Sequence, residues 1–319
     1  VTQGHQLFAD ELTALAMQNS DPRLAMIAAD IAAPLQVAVR GRRGVGRRTV
    51  AAALAAAGVL VAEQPAASEI ADLSVHVVAE VIKPEDTAAL HAARRHPVLV
   101  VLNKADLRGH VGVFEVAGAT RGPVEPMSAL FALAALGSGL DEALWEALGR
   151  VAARPADLRC AEQFVSRPHP VSRQTRERLC ATVDLSGVAA LLELAESGGT
   201  VAQARARMRQ LSGVDHVVAR LKMMGGAVYH RRMSEAVIRL EAMAVGDSRI
   251  DEYLNRDATI AARLTAAAAA IDIPNEPMLA RARRWQAHRS APVNAAQRSC
   301  SADIARGSLR AWAATRDRP

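Results

Sequence analysis

Leu35–Thr49, read as LQVAVRGRRGVGRRT, is the stretch on which the fold turns. Leu35 to Val39 form a mostly apolar run, the pattern of a buried strand. The run stops at Gly41, and Gly44 and Gly46 follow in the same loop. From Thr49 to Ala57 the sequence is alanine-rich and helix-prone, with Gly58 as a stop. Strand, glycine loop and helix in this order suit an anion. Glycine lets the backbone turn tightly, and the N–H groups of a helix start then converge on negative charge.

Outward from this loop, strands and helices alternate. Leu73–Val81 (LSVHVVAEV) and Pro97–Leu102 (PVLVVL) read as buried parallel strands, with a helix opened by Pro84 between them and running to Arg94. Shorter strand-like pieces lie at Val111–Val116 and Val124–Met127, and helices are expected over about 129–136 and 141–153. The alternation predicts an α/β domain with a mostly parallel sheet over residues 34–158. Before it, residues 1–33 read as a helical segment. Asp21 and Pro22 mark a helix start, followed by Leu24, Ile27, Ala28 and Ile31 on one face. Beyond it, residues 159–319 show no strand pattern and are expected to form a separate helical C-terminal domain with a basic end. Arg167-Pro168-His169-Pro170 reads as a linker, Thr200 with Gln203 as a capping box, and Gly225-Gly226 as a break between helices. Arg306–Pro319 is expected to be loosely ordered.

Half of the 319 residues are hydrophobic, enough for a sizeable core, but aromatics are only 3%, so alanine, valine and leucine must fill it. Cys160, Cys180 and Cys300 lie far apart, which argues against a disulfide framework or zinc site and for a reducing, cytoplasmic setting. No basic-then-apolar leader pattern is read at the start. Leu264–Ile273 is about half a membrane span, so no transmembrane segment is expected. Residues 1–150 carry 13 basic and 16 acidic side chains, and the remainder 26 and 17. The basic second half is open to anionic membrane surfaces, nucleic acid or acidic partners, although the scarcity of aromatics argues against nucleic acid.

Two further motifs carry chemistry. Asn103-Lys104-Ala105-Asp106 follows the strand at 97–102. A carboxylate at Asp106 can accept both the ring N–H and the exocyclic amine of guanine, an arrangement adenine does not offer. The Lys104 stem can lie over the base while Asn103 braces the neighbouring loop. Ser128-Ala129-Leu130 precedes a helix about 22 residues beyond Asp106. Other candidates are weaker. His76 reads as a sheet histidine, His91 and His96 lack partners for a metal, and no Ser/His/Asp or Cys/His grouping stands out. Met223-Met224, Trp285 and Trp312 read as packing residues.

Taken together, these motifs resemble the P-loop GTPases over roughly residues 34–150. The helical segments on both sides are similar to those of bacterial dynamin-like GTPases. The resemblance implies a P-loop NTPase-type sheet that binds GTP or GDP. It assigns Gly41, Gly44, Val45, Gly46, Arg47, Arg48 and Thr49 to phosphate, and Asn103, Lys104, Asp106, Ser128, Ala129 and Leu130 to guanine. Against the pattern GxxGVGK[ST]T, Arg47 replaces the lysine and Arg48 the hydroxyl that binds Mg2+. The interval between Ala57 and Leu73 is too short for the usual switch segments. Its acids Glu63, Glu69 and Asp72 make no DxxG. Hydrolysis assisted by Mg2+ therefore lacks most of its parts, no metal ligand is assigned, and no catalytic residue is named. Arg40, Arg42, Arg43, Arg47 and Arg48 form a basic cluster, with Arg47 able to reach phosphate and Arg42 and Arg43 expected in solvent. The leading expectation is guanine-nucleotide binding with little or no intrinsic hydrolysis, in a regulatory or assembly partner that forms homo- or hetero-oligomers with another GTPase. The alternatives are a divergent GTPase completed in trans, and a nucleotide-free scaffold using its basic helical half.

Overall fold

The computed structural model describes residues 4–62, 71–93, 97–107, 116–118, 120, 124–271 and 273–316. The chain divides into two compact units, one of residues 35–221 and one built from both ends, 1–34 with 222–319.

The first unit is α/β. Among the described residues its sheet has four strands, β1 (Val37–Arg40), β2 (Leu73–Ala79), β3 (Val98–Asn103) and β4 (Val124–Met127), in the order β1-β2-β3-β4. All neighbours are parallel, and Ala79, Asn103 and Met127 stand in register at the carboxyl ends. All of β2 is buried, as are Leu99 to Asn103 of β3, which is why both read as continuous apolar runs. On the other side of β1 a single bridge pairs Val37 with Val61. The strand expected at 111–116 lies outside the described residues except for Val116, which is buried in a helical turn.

The boundary expected at 158/159 is not where the units divide. The apolar helix Ala129–Leu136 packs against helices Arg47–Ala56, Arg173–Glu196 and Val201–Ser212. Phe164, Leu179, Val183, Leu191 and Met208 share one core with Phe131, Leu144 and Leu148. Each fully buried large apolar side chain contributes roughly 1.5–3 kcal/mol, and together they join residues 159–212 to the helices Ala129–Leu136 and Glu142–Ala153. Thr200 and Gln203 form the capping box, with the Thr200 N–H donating to Gln203 Oε1 at 2.8 Å.

The second unit is helical. Asp21 caps the helix Pro22–Ala32, accepting from the Arg23 N–H at 2.9 Å. Leu24, Ile27, Ala28 and Ile31 are all buried, against Met233, Val237 and Leu240 of the helix Val214–Ala244 and Ile250 and Tyr253 beyond it. Gly225-Gly226 does not break that helix. A Cβ on Gly226 would come against the carbonyl of Ala269, so glycine lets the helix Asp257–Ala270 approach closely. Residues 306–316, expected to be loosely ordered, belong to the helix Ala295–Arg316, which buries Gly307 and Ser308, while 317–319 lie outside the described residues. Among the described residues no helix is long and apolar enough to cross a membrane.

Candidate functional site

The glycine loop leaves β1 at its carboxyl end. Gly41 has φ +145°, and a Cβ there would stand 2.6 Å from the carbonyl oxygen of Val77 in β2. Gly46 has φ +84° and precedes the helix Arg47–Ala56, where no side chain caps the first turn. A Cβ on Gly46 would run into the amide of Asn103. Val45 is buried and anchors the loop, whereas Gly44, Arg47 and Arg48 are exposed and Thr49 is half-buried. The loop thus presents an uncapped helix start, with its positive end toward solvent and two guanidinium groups beside it.

Asn103 joins this loop to the rest of the sheet end. It is the last residue of β3, and only 4% of it is exposed. Its Nδ2 donates to the Val45 carbonyl at 2.9 Å, and its Oδ1 accepts from the Ala129 N–H at 3.1 Å. One amide therefore links the glycine loop, β3 and the start of helix Ala129–Leu136, leaving neither end of its dipole unpaired. Ser128 is buried and donates its N–H to the Ser212 carbonyl at 2.9 Å. Leu130 is half-buried.

Lys104 and Asp106 follow at the surface. Lys104 takes φ +61°, a left-handed conformation that costs a non-glycine residue roughly 1–3 kcal/mol. Asp106 lies in the short turn Ala105–Leu107, and its Oδ2 accepts from Ser186 Oγ at 2.9 Å. Ser186 reaches it because the helix Arg173–Glu196 is interrupted at Asp184, with φ 58° and ψ 176°. The carboxylate expected to read guanine thus already holds a hydroxyl on one oxygen.

The sequence reading missed a buried charge cluster beside the loop. Arg42, expected in solvent, donates from Nε to Asp86 Oδ2 at 2.8 Å, and His76 Nε2 lies 3.1 Å from Asp86 Oδ1. Asp86 is 1% exposed and also accepts from the Lys83 N–H at 3.1 Å. Burial alone raises its carboxyl, but the hydrogen bonds from Arg42, Lys83 and His76 outweigh it and hold the group below the usual carboxylate range. The one local signal was Asp86 itself, at the third position of a helix opened by Pro84. A cavity of about 640 Å³ opens here, bounded by Arg40, Gly41, Arg42, Arg47, His76 and Asp86 among others. Three guanidinium groups against the carboxylates of Glu85 and Asp86, the latter already paired with Arg42, leave the lining with a small positive excess.

Of the acids in the short interval, Asp72 accepts from the Gln36 N–H at 3.0 Å, at the opposite end of the strands from the loop. Glu63 and Glu69 lie outside the described residues. Arg48 is exposed in the first turn of the helix Arg47–Ala56. No protein-family model matches this sequence, and no curated protein sequence matches it significantly.

Proposed function

We propose that the sheet-containing unit is a P-loop-type module that binds GDP or GTP and hydrolyses GTP slowly or not at all. The observation that carries this reading is Asn103, whose amide ties the glycine loop to the Ser128–Leu130 segment. The helix start at Arg47 and the turn that carries Asp106 both follow carboxyl ends of strands in one parallel sheet, where ligands of α/β folds bind, and this supports reading them as phosphate and base contacts. Arg47 stands at the helix start to receive phosphate, and arginine can bind it through two donors. Arg48 stands where the resembled pattern has its Mg2+-binding hydroxyl, so in this reading nucleotide charge is met by guanidinium groups instead. The residues fit a nucleotide better than they fit a metal-assisted hydrolase.

Titration calorimetry of the whole chain with GDP, GTP and ATP, each with and without Mg2+, tests this. Binding of both guanine nucleotides below millimolar concentration, weaker binding of ATP and little response to Mg2+ are expected. A folded sample that takes up neither guanine nucleotide overturns the reading.

A further inference from the structure

The helical unit contains a second chemical grouping, unrelated to the glycine loop. Cys300 and Asp303 lie three residues apart on the helix Ala295–Arg316, a spacing that puts both on one face. His230, from the helix Val214–Ala244, stands between them. Cys300 Sγ lies 3.2 Å from His230 Nδ1, and His230 Nε2 lies 3.0 Å from Asp303 Oδ2. Each ring nitrogen has its own partner. With Asp303 ionised, the imidazole carries its proton on Nε2 and turns the lone pair of Nδ1 to the thiol. Arg263 fixes the carboxylate in turn, its Nε donating to Oδ1 at 2.8 Å.

This chain of contacts borders a cavity of about 610 Å³, lined among others by His230, Cys300, Arg263, Ser234, Val237 and Ile271. That volume lies within the range of small-molecule sites. Nη1 of Arg263 is buried without a hydrogen-bond partner, although a guanidinium nitrogen rarely stays so. Burial, and then the charge of Asp303, push the Cys300 thiol up to about 12. The resting group is therefore S–H, and sulfur becomes nucleophilic only as its proton passes to His230.

We propose that Cys300 is the nucleophile of an acyl-transfer site in the helical unit, taking small apolar esters or thioesters. Sulfur attacks the carbonyl carbon while the thiol proton moves to His230 Nδ1, and the carbonyl electron pair goes to oxygen. Arg263, in the lining of the same cavity, supplies positive charge to the surroundings of that oxygen. As the carbonyl re-forms, the bond to the leaving oxygen or sulfur breaks, and the leaving group departs with the proton from Nδ1. Water then attacks the acyl–Cys300 thioester and gives its proton to Nδ1. The C–S bond breaks, sulfur recovers the proton, and a carboxylic acid leaves. Asp303 is a positioning residue that holds the imidazole in the required tautomer.

The test uses the whole chain with p-nitrophenyl butyrate, reading p-nitrophenolate release and the butyrylated cysteine by peptide mass. Acylation at Cys300 in preference to the exposed Cys160 is expected, and Cys300→Ser abolishes it. His230→Gln slows acylation about 100-fold with helicity retained. Asp303→Asn lowers the maximal acylation rate while the half-saturating ester concentration stays unchanged. The unmutated protein gives an independent reading through iodoacetamide, which labels Cys300 in the folded state. The proposal is overturned if Cys300 reacts with neither reagent until the protein unfolds, if butyryl settles only on Cys160 or lysine, or if His230→Gln acylates at the original rate.

Discussion

The side-chain amide of Asn103 donates to the backbone carbonyl of Val45 at 2.9 Å, across 58 residues of chain. The same amide accepts from Ala129 through its oxygen. Asn103→Ala leaves a buried carbonyl and a buried N–H unpaired together, at roughly 1–3 kcal/mol for each group. Denaturant unfolding is expected to show a loss in that range, and calorimetry a loss of guanine-nucleotide binding larger than for any single loop arginine. Unchanged stability and affinity would show that the bridge holds nothing in place.

If Asp106 reads guanine as proposed, Ser186 competes with the base for one of its carboxylate oxygens. Ser186→Ala is expected to tighten GDP about 3- to 10-fold, the scale of one hydrogen bond to a charged group near the surface. ATP binding should not follow. Equal gains for both nucleotides would place the effect outside base reading.

Phe164 is wholly buried in the core shared with Phe131 and Leu148. Phe164→Ala should cost about 3–5 kcal/mol. Trp145 lies in the same core, its Nε1 donating to the Gly199 carbonyl at 2.9 Å, so its fluorescence reports the transition. A loss below about 1 kcal/mol would mean that residues 159–212 stand apart from the sheet.

Acid should weaken both units. The side-chain hydrogen bond from Arg23 holds the Asp21 carboxyl down to about 2, and Asp86 is lowered when its hydrogen bonds outweigh burial. A depressed carboxyl favours the folded state while it is ionised. Its contribution is complete above about pH 4, near the unfolded value, and is lost as pH falls through the folded one. Thermal midpoints should fall most steeply below pH 4, after a shallower decline from about pH 6.5 because burial and then Arg232 hold the His5 imidazole below its usual range. Asp86→Asn lowers the plateau and flattens part of that drop. A variant with the original acid limb would remove Asp86 from the account.

The strands are legible because β2 and most of β3 are buried on both faces, so their apolar runs state their position directly. The cap at Asp21 and the capping box at Thr200 are legible because both are local in sequence. What escapes the sequence is long-range pairing. Arg42 and Asp86 meet across 44 residues, and each read alone is an ordinary loop or helix-start charge. His230 meets Cys300 across 70 residues, through helix packing that no spacing rule encodes. Gly226 misleads for a related reason. A glycine costs a helix roughly 1 kcal/mol, which reads as a break, but close approach to Ala269 offsets that loss. Residues 159–212 misled the domain reading because their helices carry no mark of which core they join.

The helical unit is assembled from both ends of the chain, and this gives its synthesis a timetable. Leu24, Ile27 and Ile31 are made long before Met233, Val237 and Leu240, the residues that cover them. At the ribosome's pace of about 5–20 residues per second, the wait is roughly 10–40 s. The intervening segment, which holds the whole parallel sheet, has time to fold first. During that interval the first two helices can cover only part of each other's apolar faces, the rest waiting for Met233, Val237 and Leu240.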